Sequence, residues 1–129
     1  MTFFLDNSMP RRLVDVMTIL KRGSSDEFEI IHLKQMFAGS TDDTDWLRDI
    51  PPDYIIITGD NKIQTRSEER KALEKNGNTI FYMQPKYPRL PVWEQAWMFL
   101  KLWPEILSKS IDNPTKRAFK ISRKLQIHC

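Results

Sequence analysis

The sequence has one cysteine, at position 129 of 129 residues, so no internal disulfide can form. A lone thiol suits a reducing cytosol, and a cytoplasmic location is expected. His128 and Cys129 are adjacent with no second pair, which leaves a zinc site incomplete. No apolar run approaches the length of a membrane span. The start, MTFFLDNSM, lacks a basic region before its short apolar run, so no secretory signal is expected. Only four glycines are present, forming neither a phosphate-cradling loop nor a G-x-S-x-G elbow. Internal repeats, linkers and low-complexity tracts are absent. What remains is 40% hydrophobic and 29% charged, enough to fill one core. A single domain over 1–129 is expected.

No acidic residue follows Asp112, whereas Lys116, Arg117, Lys120, Arg123 and Lys124 do. Removing these five from 20 basic residues leaves 15 against 17 acidic ones, so residues 1–112 carry a net of −2. A mildly acidic body with a basic segment over 114–129 suggests attraction to a polyanion, with a solvated end as the plain alternative.

The apolar pattern alternates strands and helices. Residues 2–5 predict a strand ending at Asp6, and Pro10 suits the first turn of a helix with Leu13, Val16, Met17 and Leu20 inward. A second strand is expected over 28–33. Thr41 or Asp42 is expected to cap a short helix containing Trp46, Leu47 and Ile50, with acidic residues in its first turn. The stretch YIIITGD reads as a buried strand, followed by a helix over 67–75 stopped by Asn76-Gly77. Thr79 to Met83 form a fourth strand. A long helix starts near Val92, with Trp93, Trp97, Leu100 and Leu107 on the face expected to fill the core. Ala96 and Trp103 flank that face, and Pro104 predicts a kink or restart. The tail AFKISRKLQIHC alternates well enough for a late edge strand. This order predicts an α/β fold: a central, mainly parallel sheet of four to five strands with helices on both faces.

In such sheets ligands bind beyond the carboxyl ends of the strands. Two predicted strands end there in aspartate, Asp6 and Asp60, and Asp42, Asp43 and Asp45 open the short helix between them. A carboxylate at the end of a buried strand is costly unless solvated, paired or cation-bound. Right-handed crossovers would gather these groups at one edge. Crowded carboxylates repel unless a hard cation neutralises them, and Mg²⁺ suits oxygen ligands and phosphate substrates. Such a site would activate water for in-line attack on a phosphodiester. Asn7 and Thr58 would orient the ligands, while Lys62, Arg11 or Arg12 would meet a nucleic-acid backbone. Taken singly, each acid has a plain alternative as a cap or turn residue. Taken together, Asp6, Asp43 and Asp60 point to the metal. His32, in an apolar strand, reads as a hydrogen-bonded core residue.

The elements FFLDNSMPRRL, DDTDWL, IIITGDNKI with SEERKAL and NG, and LPVWEQAWMFLKLWPEI come in an order that resembles the PIN-like domains grouped with VapC-type toxins. The likeness is closest to the small bacterial branch with a tryptophan-rich last helix, and it covers nearly the whole chain. It implies a PIN-like sheet and an Mg²⁺- or Mn²⁺-dependent endoribonuclease, commonly the toxin of a toxin–antitoxin pair. The implied partners are RNA and a cognate antitoxin, and a homodimer stays open. By motif the family's acidic positions fall on Asp6, Asp43 and Asp60. Asp45 and Glu69 are implied as supplementary acids, with Arg70 beside them. The chain departs from the larger group in lacking a clear late fourth acid, and Asn61 and Lys62 stand where a further carboxylate often follows. Two other functions stay open at this point. One is an inactive PIN-like module that binds RNA or a partner; the other is a receiver-like phosphoacceptor, which fits the Asp6-Asn7 strand end less well.

Overall fold

The structure is a computed structural model that describes residues 1–37, 43–60 and 67–129, with 43 and 44 as backbone only. In chain order the elements are β1 (Thr2–Leu5), α1 (Arg12–Lys21), β2 (Glu29–His32), α2 (Leu33–Met36), α3 (Asp43–Asp49), β3 (Ile55–Thr58), α4 (Ser67–Asn76), β4 (Ile80–Tyr82), a 3₁₀ turn (Tyr87–Arg89), α5 (Val92–Asp112), β5 (Ala118–Ile121) and β6 (Ile127–His128). The sheet order is β2-β1-β3-β4-β5-β6, parallel throughout except for the antiparallel β5–β6 pair. This is the expected α/β arrangement with three more elements than the pattern suggested, α2, the 3₁₀ turn and β6, the last making the sheet six-stranded where four to five strands were expected. The tail is a hairpin whose first strand joins β4 in parallel and whose second closes the edge. The second strand stops at His32, whose side chain and Gln35 form a capping box that opens α2.

Strands buried on both faces read as continuous apolar runs. Phe3, Leu5, Ile55, Ile57, Phe81, Phe119 and Ile121 form one face of the sheet, packed by Leu13 and Met17 of α1 and by Phe99, Trp103 and Ile106 of α5. Phe4, Ile56, Ile80 and Tyr82 form the other, packed by Trp46 and Leu47 of α3, by Ile50 just after it and by Leu73 of α4. Tyr82's phenol is pushed up to about 12 by burial, so it stays protonated at neutral pH.

Two sequence-based expectations are overturned on the first face. Trp93 and Trp97, expected in the core, are 84% and 54% exposed, and Leu100 is 36% exposed. The buried stripe of α5 is Gln95, Phe99, Leu102, Trp103, Ile106 and Ser110. The helix carries apolar side chains around most of its circumference, so periodicity alone offers two stripes. Trp103 decides between them. Its ring lies 4.7 Å from Phe3 and 4.9 Å from Phe28, edge-on or tilted, and 5.5 Å from Phe99, a cluster that the alternative stripe could not form. The same rotation affects α1, where Val14 is buried while Val16 and Leu20 are 36% and 54% exposed. Helix α5 also runs from Val92 through Pro104 to Asp112 without the expected restart. Pro104 is exposed, so the hydrogen bond it removes falls on the solvated side, where water can serve the freed carbonyl.

Candidate functional site at the carboxyl edge of the sheet

Strands β1 and β3 are neighbours with Leu5 opposite Ile57, so Asp6 and Thr58 leave the sheet side by side. Asp6 continues the ladder by donating its N–H to the Ile57 carbonyl at 3.4 Å. Its side chain is only 3% exposed, and Thr58 is fully buried. A carboxylate placed there needs donors. Thr58 Oγ1 donates to Asp6 Oδ2 at 2.5 Å, and Ser8 donates to Oδ1 through its N–H at 3.1 Å and through its hydroxyl in a short contact. Each hydroxyl has one hydrogen, and both are spent on Asp6. Their lone pairs accept from the next stretch of chain: Gly59 N–H donates to Ser8 Oγ at 2.8 Å, and Asp60 N–H donates to Thr58 Oγ1 at 2.9 Å.

This network answers why YIIITGD ends as it does. Thr58 supplies the hydroxyl that joins the two strand ends. Gly59 leaves room, since a Cβ there would lie 3.0 Å from Pro88 Cγ and 3.4 Å from Ser8 Oγ. Asp60 then emerges half-buried at the same edge. Ser8 was not among the candidates from sequence. The signal was present in Asp6-Asn7-Ser8, a carboxylate followed by a hydroxyl two residues on, the spacing of a local side-chain turn.

The remaining candidates are distributed as follows. Asp43 is the first residue of α3. That helix ends at Asp49, and the short stretch to Ile55 leads into β3, so its start is directed toward the carboxyl edge. Asp42 and Lys62 lie outside the described residues. Asp45 is on the outer side of α3, 53% exposed and ion-paired with Arg48 at 2.9 Å. Glu69 is 7% exposed on the same side of α4 as Leu73. Arg70 is 67% exposed and paired with Glu74 at 3.2 Å. Asn7, Arg11 and Arg12 are exposed beside the β1 end. Among the described residues, no three acidic, histidine or cysteine groups converge as a ready-made metal cluster.

The oxygen donors still fit a hard divalent cation. Asp6 is a carboxylate fixed by hydrogen bonds from Ser8 and Thr58, an oxygen donor of the kind Mg²⁺ takes directly or through water. Asp60, more open, is the group suited to direct contact.

His32 completes the floor of the site as a hydrogen-bonded core residue, as its place in an apolar strand suggested. Its Nδ1 accepts from Lys34 N–H at 3.2 Å, which puts the proton on Nε2, 2.9 Å from the Met9 carbonyl. Burial chiefly lowers its pKa below 6.5, the Met9 bond opposing it. Below about pH 6.5 the unfolded chain binds this proton more readily than the folded one, so stability falls with pH, by at most about 1.4 kcal/mol per unit. His32→Gln should flatten the dependence between pH 7 and pH 5 in denaturant titrations. An unchanged slope would assign the acid sensitivity to other groups.

No helix among the described residues is long and apolar enough to cross a membrane. Comparison with curated proteins and with solved structures yields no match. A family model described as "PIN like domain" matches residues 1–85, the segment from β1 through the end of β4 that contains Asp6, Ser8, Asp43, Thr58 and Asp60. With that match over most of the chain and a mainly parallel α/β sheet, this chain belongs to the PIN-like domain family.

Proposed function

We propose that the protein is a metal-dependent endoribonuclease whose acidic centre is Asp6, Asp43 and Asp60. The observation that carries this reading is the buried Asp6 carboxylate, tied by Ser8 and Thr58 to the strand end that presents Asp60, in a chain of the PIN-like family. Asp6, held by three hydrogen bonds, is the fixed anchor. Asp60, half-buried, is open to substrate and takes the proton from the attacking water. As the water oxygen bonds to phosphorus, the phosphodiester P–O bond opposite breaks, and the leaving ribose oxygen is protonated from solvent. When bound, Mg²⁺ or Mn²⁺ neutralises the carboxylates and stabilises charge developing on the phosphoryl and leaving oxygens. Asn7 and Arg11, exposed at the β1 end, are positioned to contact the RNA backbone. Asp45 and Arg70 are the weaker candidates, because each already has an ion-pair partner.

In the cell this activity suits the toxin of a toxin–antitoxin pair acting in the cytoplasm, with a cognate protein to restrain it. The test is cleavage of single-stranded RNA with Mn²⁺ and with EDTA. Parent protein should cut only with metal, and Asp6→Asn should lose at least about 100-fold, the scale of a lost catalytic electrostatic group. Metal-independent cleavage, or full activity in Asp6→Asn, would refute the proposal.

A further inference from the structure

The β5–β6 hairpin and the turn after β4 each present an exposed cation pair at the edge where Asp6 and Asp60 emerge. Strands β3, β4 and β5 run parallel and adjacent, so the segments leaving their carboxyl ends lie in a row about 4.8 Å apart per strand. After β4 comes the turn with Lys86 and Arg89, both exposed. It is held rigidly: Tyr87 between them is fully buried, donates its hydroxyl to the Gln95 carbonyl at 2.9 Å, and accepts from Gln95 Nε2 at 2.7 Å. Pro88 of this turn abuts Gly59, so the turn that carries the cations adjoins the strand end that bears Asp60.

After β5 comes the hairpin tip with Arg123 and Lys124, also exposed. Here too the backbone is pinned. Leu125 adopts φ 58°, a left-handed conformation costly for a residue with a Cβ. Packing of Leu125 and Ile127 against the core and the Leu125 N–H bond to the Ser122 carbonyl at 3.0 Å hold it there. None of the ion pairs among the described residues uses Lys86, Arg89, Arg123 or Lys124. Four cations outside those ion pairs thus stand on two pinned turns.

We infer that Lys86, Arg89, Arg123 and Lys124 form a phosphate-binding track that holds the RNA backbone on the β4–β5 side of the acidic centre. The inference rests on the nuclease reading for its ligand, and it adds a site of which Lys86 and the other three lie beyond the family-matched segment. Cations carried on pinned turns suit a polyanion because little backbone freedom is lost on binding. They carry no base specificity, since phosphate contacts position the strand without reading it.

The track is tested by anisotropy of a labelled single-stranded RNA in EDTA, titrated at several salt concentrations. Each phosphate contact on a single strand contributes about 0.7 to the slope of log affinity against log salt. Lys86→Gln/Arg89→Gln and Arg123→Gln/Lys124→Gln should each reduce the slope by about 1.4, and the fourfold variant by nearly twice that. Lys71→Gln/Lys75→Gln, exposed on α4, should leave it unchanged. A fourfold variant with the parent's slope overturns the track, as does an equal effect from the α4 pair. Binding in EDTA is independent of cleavage. A protein that loses slope as expected but never cuts keeps the track and loses the catalytic reading. One that cuts with Mn²⁺ yet shows no slope change loses the track alone.

Discussion

Asp60→Asn should abolish RNA cleavage while leaving the metal-free protein as stable as the parent, or more so. One hydrogen bond that ties Asp60 to the network comes from its backbone N–H to Thr58 Oγ1, and the substitution retains it. Removing one charge from a carboxylate cluster relieves repulsion in the apo state. Asp6→Asn is the contrasting case. Its new amide nitrogen would direct a donor at whichever hydroxyl it faces, Ser8 or Thr58, each of which donates to one oxygen of the Asp6 carboxylate, at a cost of about 1–3 kcal/mol. Metal separates the two roles further. A cation that binds only the folded state adds about 2.7 kcal/mol at a hundredfold excess over its dissociation constant, roughly 10 °C of melting temperature for a chain of this size. Parent protein should show that rise with Mn²⁺ over EDTA, and Asp60→Asn should not. If Asp60→Asn is destabilised by about 0.5–2 kcal/mol and neither protein responds to metal, the carboxylate is a turn cap and the nuclease reading fails.

Trp103→Ala should cost about 3–5 kcal/mol, and Trp93→Ala should fall within about 0.5 kcal/mol of the parent. Trp103 is 8% exposed and meets Phe3, Phe28 and Phe99, so its removal leaves a cavity where α5 crosses the sheet. Trp93, 84% exposed on the same helix, has little packing to lose. Since folded domains are stable by only about 5–15 kcal/mol, the first substitution would consume a large part of the total. Urea midpoints of the two variants provide the measurement. Equal losses would mean that the helix is rotated from the orientation described, or that Trp93 is covered in solution.

The sequence by itself determined the elements and the edge. Continuous apolar runs bounded by polar turns specify strands buried on both faces, and their alternation with amphipathic segments specifies a parallel sheet. Asp6 and Asp60 were legible as candidates for the same reason, because a carboxylate ending a buried strand is conspicuous in one dimension. The tertiary structure alone decided which stripe of α5 faces inward. Trp93, Trp97 and Leu100 match a helical period as well as Phe99, Trp103 and Ile106 do, and only the positions of Phe3 and Phe28 on the sheet distinguish them. It also decided the role of Ser8, whose hydroxyl is useful only because Thr58, fifty residues away, is brought beside it. It also decided the surroundings of Asp45: helical spacing put Arg48 one turn away, and packing left the pair facing solvent. The tail pattern in AFKISRKLQIHC recorded which side chains need burial but not that β4 would be their neighbour. Periodicity encodes what a segment must hide, whereas the surface that hides it is supplied by residues far away in sequence.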